Sequence, residues 1–595
     1  MTPEGAAAQT LPTWNLADLY AGPDAPEVER DLKDAGTKAA AFRQQYEGKL
    51  AGLSGADFLA AILAYERIQE ILGRVMSYAQ LLYAGDMSNT EYGRFQQNTN
   101  ERATQISLET LFFTLEINKL SDEDMKAKLA HAPLRRFAPW LDTVRAFRPH
   151  QLSDDLEKML HERDVVGRQA WMRLFDETMA DLRFEVDGKK LTSNEALNLL
   201  YEQDGAKRKA AADAVAKGLG DNKRVFALVT NTLAKEKEID DKWRKFARPV
   251  SSRNLANQVE DEVVDALVSA VKANYPKLSH RYYKLKAKWL GLSKLNYWDR
   301  NAPLPDDDDT PIDWNEAQSL VLTAYNAFSP KLAEVGRTFF DKGWIDVPPR
   351  PGKAPGAFAH PTVPSAHPYL LLNYHGRTRD VMTLAHELGH GVHQVLAAPQ
   401  GQLLCDTPLT LAETASVFGE MLTFQALLKR ETDPEERKVL LAGKVEDMLN
   451  TVVRQIAMHE YETRLHAARR EGELTPEQIS DIWLATQREA LGDGVDLPDG
   501  TGYAIYWAYI PHFIHVPFYV YAYAFGDCLV NSLYAAYQQA EAGFAEKYLD
   551  MLRAGGTKRH KELLAPFGLN AADPAFWSKG LGVISGFIDE LERMG

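Results

Sequence analysis

Apolar residues recur at helical spacing along most of this chain. Between residues 58 and 82 they advance in steps of three and four, which places them on one face of a long helix. This stripe consists of Phe58, Ile62, Tyr65, Ile68, Leu72, Val75, Ala79 and Leu82. Ser54 and Asp57 stand at the spacing of a capping box and predict where the helix begins. A second stripe, from Leu441 to His459, predicts another long helix that ends at Gly472.

Strand patterns are few. Apolar residues alternate at positions 182, 184 and 186, and Asp187-Gly188 after them predicts a type I′ hairpin turn. Thr192 or Ser193 then predicts the start of another helix, with Glu195 in its first turn. Residues 348–368 hold seven prolines and two glycines, a composition that excludes a helix or a central strand. The apolar run at 369–374 predicts a short strand, which Gly376 separates from the next helix.

Composition and charge narrow the class of protein. Of 595 residues, 45% are hydrophobic and 25% are charged, as in a folded globular protein. A net charge of −15 argues against nucleic acid or an anionic membrane as a partner. Cys405 and Cys528 are too few for a disulfide framework, so we expect a reducing compartment, the cytoplasm. Residues 1–13 lack the pattern of a signal peptide, and four aspartates at 306–309 predict a solvated loop.

One uncharged stretch, Tyr503 to Gly526, is long enough to cross a bilayer. It contains two histidines, two prolines and six tyrosines, which make a poor lipid-facing helix. We therefore expect a buried segment that lines a polar cavity and supplies hydrogen-bond donors to a developing oxyanion. The candidate donors are His512, His515, Tyr519, Tyr521 and Tyr523.

The chemistry of the chain is most evident in the motif His386-Glu387-Leu388-Gly389-His390. Residues i and i+4 of a helix lie about 40° apart around its axis and about 6 Å apart along it, so both imidazoles project to one side. Two neutral imidazoles suit Zn²⁺, and Glu387 is placed to take a proton from a zinc-activated water. Apolar neighbours nearly all round this helix predict burial, which argues against a solvated polar face.

A catalytic zinc needs a third protein ligand. The spacing of metzincins is excluded, because His393 and Leu396 stand where that class has glycine and histidine. Glu413 and Glu420 lie seven residues apart in an apolar helical stretch and therefore share a face. We prefer Glu413 as the ligand and Glu420 as the residue that holds a ligand histidine, although helical periodicity also permits the reverse order.

These residues resemble the oligoendopeptidase F family of thimet-oligopeptidase-like (M3) zinc peptidases. The resemblance covers the HExxH helix, Glu413, and the segment from Pro511 to Tyr521. It extends to residues 14–20, 353–358 and 368–376, although the family more often has Arg-Gly where Ala354-Pro355 stand. It therefore covers the chain from about residue 14 to near the C-terminus.

The resemblance implies a mostly α-helical zincin with a deep central substrate channel and a small β element beside the HExxH helix. We expect an N-terminal helical lobe over residues 1–205 and a catalytic lobe over residues 206–595. One Zn²⁺ per chain would be held by His386, His390 and Glu413, with Glu387 as general base. His512 and Tyr519 would bind the substrate carbonyl and the oxyanion; the choice among Tyr519, Tyr521 and Tyr523 stays open.

The resemblance also suggests how a substrate is held. The strand at 369–374, which includes Leu371, would pair with the substrate backbone as an edge strand, and Gly356 and Tyr521 would add contacts. A narrow channel implies short, unstructured oligopeptides as partners. The chain itself would be a monomer or a homodimer.

The predicted function is that of a zinc-dependent endopeptidase that cleaves internal bonds of oligopeptides. Two alternatives stay open. The first is a zinc carboxypeptidase of related helical fold. The second is a non-catalytic peptide-binding protein with a structural zinc, whose site would be closed by a fourth protein ligand.

Overall fold

A computed structural model describes residues 11–164, 166–304, 311–540 and 543–595. The aspartate run at 306–309, predicted to be a loop, lies outside the described residues, as does most of the segment 1–13. Within the described residues, no helix combines the length and the apolar character needed to span a bilayer.

The fold is largely helical, as predicted, and its strands are short. The α-helices are α1 (Pro26–Tyr46), α2 (Gly55–Gly85), α3 (Thr90–Leu108), α4 (Leu111–Lys119), α5 (Asp122–Leu129), α6 (Ala138–Ala146), α7 (Asp154–Asp164), α8 (Arg168–Asp181), α9 (Ser193–Asn198), α10 (Gly205–Asp221), α11 (Lys223–Trp243), α12 (Ser251–Ala256), α13 (Asp261–Asn274), α14 (Ser279–Trp289), α15 (Trp314–Phe328), α16 (Pro330–Asp341), α17 (Thr378–Ala397), α18 (Leu409–Arg430), α19 (Pro434–Thr451), α20 (Val453–Glu471), α21 (Pro476–Leu491), α22 (His512–His515), α23 (Tyr521–Gln539), α24 (Phe544–Arg553), α25 (His560–Leu564) and α26 (Pro574–Met594). The strands are β1 (Phe184–Val186), β2 (Lys189–Leu191), β3 (Leu295–Asn296), β4 (Ile345–Asp346), β5 (Phe358–His360), β6 (Tyr369–Leu371) and β7 (Val495–Asp496).

The local sequence patterns account for several of these elements. Ser54 caps α2 by accepting a hydrogen bond from the Asp57 N–H, as predicted. The β1–β2 hairpin turns through Asp187 and Gly188, whose φ angles of 50° and 76° suit a type I′ turn. Thr192 caps α9 in a complete capping box, also as predicted.

The single helix predicted over the second stripe is wrong. The structure has two helices there, α19 and α20, which meet at Val452. Thr451, Val452 and Val453 are three β-branched residues in a row, and their stiff side chains disfavour a continuous helix. The end of α20 at Gly472 agrees with the prediction.

Each of two compact units is assembled from three segments. The first unit comprises residues 1–148, 309–430 and 540–568, and the second comprises residues 149–308, 431–539 and 569–595. The lobe boundary at 205/206 stays a prediction.

In the first unit a three-stranded sheet packs against α17. Its strand order is β4-β6-β5, with β6 parallel to β4 and antiparallel to β5. The small β element beside the HExxH helix is therefore confirmed. The expectation that the strand at 369–374 is an edge strand is wrong, because β6 is paired on both sides and β5 forms the edge. Residues near 345 supply the unforeseen partner strand.

Glycines allow α18 to lie close both to α17 and to the side chain of Tyr325 on α15 in the same unit. A Cβ atom on Gly389 would overlap Ala415 O and lie 2.7 Å from Ser416 Cα. A Cβ on Gly419 would overlap the hydroxyl of Tyr325, which donates a hydrogen bond to Ala385 O at 2.6 Å. Only glycine fits at these two positions without moving the helices apart.

In the second unit, a glycine likewise permits close packing between α23 and α26. A Cβ on Gly580 would lie 2.7 Å from Ser532 Oγ, and that hydroxyl donates to Phe576 O at 2.7 Å. The rings of Phe525 and Trp577 pack edge to face at 4.9 Å across the same helix pair. A two-stranded parallel ladder, β3–β7, completes this unit's described sheets besides the hairpin.

We predict that Gly389→Ala destabilises the protein by about 1–3 kcal/mol, because the added methyl group overpacks against the backbone of α18. The matched control is Gly586→Ala in α26, where no atom lies within 4 Å of the added Cβ. That control should gain about 0.5–1 kcal/mol from the higher helix propensity of alanine. Urea denaturation of both variants measures the difference, and equal stabilities would contradict the proposed packing constraint.

Candidate active site

The two histidines of the HExxH motif lie one turn apart on α17 and face α18. Their ring centroids are 4.9 Å apart. Glu413 Oε2 lies 3.4 Å from His386 Nε2 and 3.5 Å from His390 Nε2. One donor atom from each of the three residues falls within 4.8 Å of the others. The structure thus brings together the three residues predicted as metal ligands.

This donor set fits a divalent cation. Two imidazole nitrogens and one carboxylate oxygen are the ligands that catalytic sites of this kind use, with one position left for water. Burial raises the pKa of Glu413, but the hydrogen bond and charge of His390, the charge of His386 and the hydroxyl of Ser416 together lower it to about 2. A carboxyl group of lowered pKa is ionised at neutral pH and can only accept, which suits a metal ligand. Ser416 Oγ donates to Glu413 Oε2 at 2.7 Å and fixes its orientation.

Glu420 approaches the other side of the first histidine. Its Oε2 lies 3.3 Å from Nδ1 of His386, so it is placed to orient that ring and its tautomer. Burial lowers the pKa of His386, whereas the hydrogen bond to Glu420 and the charges of Glu413, Glu387 and Glu420 raise it to about 9. The net effect reflects an excess of negative charge, which a bound cation would neutralise.

Glu387 lies beneath this set and is largely buried, with 8% of its surface exposed. Burial raises the pKa of its carboxyl group, while the charges of His386 and His390 and a backbone hydrogen bond from Ala359 lower it in part. Because Ala359 lies on the edge strand β5, this contact links the predicted base to the sheet. A carboxyl group of raised pKa in this position is suited to accept and return a proton.

His393, the third histidine of α17, does not join the donor set. It is buried, and its Nε2 lies 3.3 Å from Thr407 Oγ1. Burial lowers the pKa of His393 to about 4, so it remains neutral.

In the second unit, His512 and two of the candidate tyrosines form an aromatic cluster. His512 Nε2 lies 3.2 Å from the Tyr523 hydroxyl. The ring of Tyr519 stacks on that of His512 at 5.8 Å and meets Tyr523 edge to face at 5.2 Å. His515 points elsewhere, with Nε2 at 2.9 Å from Asp176. Burial, together with the charge of Arg454, lowers the pKa of His512.

A buried carboxyl group supports this cluster from α20. Glu462 Oε1 accepts a hydrogen bond from the Phe518 N–H at 2.7 Å. Phe518 has a φ of 60°, a conformation that costs energy for a residue with a side chain, and it directly precedes Tyr519. The hydrogen bond to Glu462 helps to hold this turn.

The remaining predicted substrate contacts occupy different environments. Tyr521 is fully buried, and its hydroxyl accepts a hydrogen bond from Asn257 at 2.9 Å, which leaves it no surface for a substrate. Leu371 is fully buried in the central strand β6. Gly356 is exposed, has a φ of 78°, and its carbonyl accepts a hydrogen bond from Asn373.

Sequence reasoning missed three supporting residues. Ser416 stands three residues after Glu413, a spacing at which a hydroxyl reaches back along a helix, so it was detectable once Glu413 was chosen. Ala359 and Glu462 carry no such local pattern, because their partners lie 28 and 56 residues away along the chain.

A helical metallopeptidase, with HExxH on one helix and a glutamate that approaches both histidines from the next, is the class that this fold and site define. Comparison with known families agrees. The family model described as Peptidase family M3 matches residues 198–583, and a model described as Oligopeptidase F matches residues 116–184. The chain belongs to peptidase family M3.

Known relatives extend over nearly the whole chain. Oligopeptidase PepF of Bacillus subtilis is 27% identical, covering 100% of this chain and 88% of its own. Group B oligopeptidase PepB of Streptococcus agalactiae is 26% identical, covering 98% and 96%. The predicted resemblance to oligoendopeptidase F is confirmed, and the predicted class, a metalloendopeptidase, agrees with the family and these relatives.

Solved structures support the fold. The crystal structure of oligoendopeptidase-F from Enterococcus faecium superposes with a TM-score of 0.71 at 23% identity, covering 96% of this chain and 97% of that one. PZ peptidase A gives a TM-score of 0.74 at 16% identity, covering 98% and 100%. At these identities the likeness establishes the fold alone.

We predict that Glu420→Gln weakens metal binding about 10–100-fold, because the amide no longer stabilises His386 through a charged hydrogen bond. Competition with a chelator measures the affinity. The control is Glu334→Gln on α16, whose side chain is 70% exposed and pairs with Lys331. Unchanged affinity in Glu420→Gln would show that the contact does not tune the site.

Proposed function

We propose that this protein is a zinc-dependent endopeptidase that hydrolyses internal bonds of short oligopeptides. The observation that carries this proposal is the position of Glu387, a buried carboxyl group directly beside the converging ligands His386, His390 and Glu413. Family membership supports peptide hydrolysis, and the names of the relatives, which are oligopeptidases, support short substrates.

The metal and the base have separate tasks in this proposal. His386, His390 and Glu413 would hold Zn²⁺, which would supply Lewis acidity for the activation of water and the polarisation of the peptide carbonyl. Glu387 accepts the proton of the attacking water on its carboxylate and then delivers it to the departing amine. Glu420 keeps His386 oriented throughout, and Ser416 keeps Glu413 in place.

The cluster around His512 is proposed to donate hydrogen bonds to the substrate carbonyl and to the oxyanion. Support comes from the resemblance to the family and from the mutual packing of His512, Tyr519 and Tyr523. Of the three tyrosines left open by the sequence, the geometry favours Tyr519 and Tyr523. Tyr521 is not included, since its hydroxyl is already bonded to Asn257.

We further propose that the substrate backbone pairs with β5. This strand is the edge of its sheet, and its Ala359 N–H already reaches Glu387. Exposed Gly356 stands just before β5, where its lack of a side chain leaves room for a bound peptide. Leu371 would contribute only by supporting β5 from the central strand.

The setting of the enzyme is also a proposal. Both cysteines, Cys405 and Cys528, are free thiols, which suits the reducing environment of the cytoplasm. A monomer or a homodimer remains the expected assembly.

We predict that Glu387→Gln lowers kcat by at least about 10³-fold while zinc content stays stoichiometric, because the amide cannot accept the proton of the water. Hydrolysis of a quenched fluorescent peptide and metal analysis of the same sample test this. Glu334→Gln serves as the control for a carboxyl group remote from the site. Turnover like that of the wild type would remove the general-base role.

A second prediction concerns where peptides are cut. Mass spectrometry of products from one defined peptide should show internal cleavage, with fragments of several residues from both ends. A chelator should abolish these fragments and added zinc should restore them. Stepwise loss from the C-terminus would indicate the carboxypeptidase alternative, and binding without cleavage in zinc-replete buffer would indicate a non-catalytic protein.

A further inference from the structure

The second unit contains a cavity of about 310 Å³ that the proposed mechanism does not use. Its walls combine two arginines with a group of aromatic rings and several asparagines at the rim. The lining residues used below are Arg300, Arg454, Tyr503, Tyr506 and Tyr509.

Among the residues that the structure describes, the guanidinium groups of Arg300 and Arg454 have no anionic partner. Arg300 donates to the Tyr503 hydroxyl at 3.2 Å, and Arg454 donates to the Tyr509 hydroxyl at 3.3 Å. The Nε atoms of both arginines are buried and make no hydrogen bond within the described chain. Among the described residues, no carboxylate lies within ion-pair distance of either group.

Carboxylates close to this region already have cationic partners. Asp299, next to Arg300 in the chain, pairs with Arg208 at 2.8 Å. Glu446 pairs with Lys286 at 2.6 Å, and Lys286 also donates to the carbonyl oxygen of Arg300. Within the described part of the chain, the two cavity arginines therefore add uncompensated positive charge to a partly desolvated space, an arrangement that is costly unless an anion enters.

One of three tyrosine hydroxyls in the cavity wall can act as a hydrogen-bond donor in addition to the two guanidinium groups. The hydroxyl of Tyr503 donates to Gln487 Oε1 at 3.3 Å, and that of Tyr506 donates to Ala212 O at 3.4 Å. The hydroxyl of Tyr509 accepts from Arg454 and has no acceptor for its own hydrogen among the described residues. Its hydrogen can therefore point into the cavity.

The cavity adjoins the cluster that is proposed to bind the substrate carbonyl. Tyr509 precedes His512 by three residues, and the charge of Arg454 acts on His512. The volume is several times that of one water molecule, so the space admits an amino-acid residue together with its charged group. Aromatic walls suit the apolar part of such a residue.

We propose that this cavity is a subsite for a free carboxylate, the C-terminal carboxylate of a peptide. The guanidinium groups of Arg300 and Arg454 would hold the carboxylate, with the Tyr509 hydroxyl as a third donor. This proposal rests on the proposed peptidase function. It would let the enzyme prefer short peptides whose C-terminus reaches the subsite.

The test compares two peptides of identical sequence, one with a free C-terminal carboxylate and one with a C-terminal amide. At constant ionic strength the wild type should cleave the acid with a kcat/KM about tenfold or more above that of the amide, chiefly through KM. Arg454→Gln and Arg300→Gln should bring this ratio close to one. The control Arg488→Gln, which removes an arginine paired with Asp499 in the same unit, should keep the wild-type ratio.

A binding experiment tests this proposal independently of the peptidase function. Calorimetry of the full-length, zinc-loaded protein compares N-acetyl-leucine with N-acetyl-leucine amide, and requires no catalysis. The acid alone should bind, and Arg454→Gln should abolish its binding, whereas an acid bound to zinc would survive that substitution. If Arg300→Gln does not fold, as judged by its thermal midpoint, Arg454→Gln and Tyr509→Phe decide the result.

Three outcomes would overturn the proposal. The first is equal cleavage of acid and amide by the wild type together with no binding of N-acetyl-leucine. The second is binding of chloride to the cavity, measured by titration with sodium chloride, without any preference for the acid over the amide. That result would mean that the cavity binds small inorganic anions only. The third is a preference for the acid that Arg454→Gln, Arg300→Gln and Tyr509→Phe all leave unchanged, which would place the carboxylate outside this cavity.

Discussion

The proposed active site depends on how closely two helices approach. The three candidate ligand atoms lie within 4.8 Å of one another where α17 and α18 are nearly in backbone contact at Gly389, and Gly419 of α18 leaves room for Tyr325 of α15 beside them. Glycine lowers the helix propensity of both segments, so the packing of their apolar faces must supply the free energy that offsets this loss. The motif therefore carries a structural requirement as well as a chemical one. Its glycine is needed for the short distance between α17 and α18, and its histidines are needed as candidate metal ligands.

Unbalanced charge is the second organising feature, and it has opposite signs in the two units. Around His386, three glutamates create negative potential that raises the pKa of an otherwise buried imidazole to about 9. Around Arg300 and Arg454, positive charge has no carboxylate partner among the described residues. The buried Arg208–Asp299 pair of the second unit, by contrast, neutralises its own charge. Because unpaired buried charge destabilises a fold, these two exceptions mark places where a ligand completes the structure.

Short-range sequence patterns correctly predicted the features that depend on interactions between neighbouring residues. The start of α2 at Ser54 and the turn at Asp187-Gly188 follow from caps and backbone preferences that involve neighbouring residues. The candidate ligands could also be named in advance, because helical periodicity places His386 and His390 on one face and Glu413 and Glu420 on another, although it left the order of the two glutamates open. The break at Val452 was missed because the apolar stripe continues across it. The central position of β6 was missed because its partner β4 lies about 25 residues earlier in the chain, and no short-range pattern indicates that pairing.

The cavity illustrates why some sites escape sequence analysis altogether. Arg300 and Arg454 are 154 positions apart, and neither belongs to a motif. Each arginine alone would be assigned to a solvated surface or to a salt bridge. What distinguishes them is that no described residue supplies an anionic partner, a property that exists only after the chain has folded and Asp299 and Glu446 have paired with other cations. By contrast, the sequence spacing of the candidate metal ligands indicates their role. The same protein thus contains one site defined by residues that are present in a pattern and one defined by a charge that is left uncompensated.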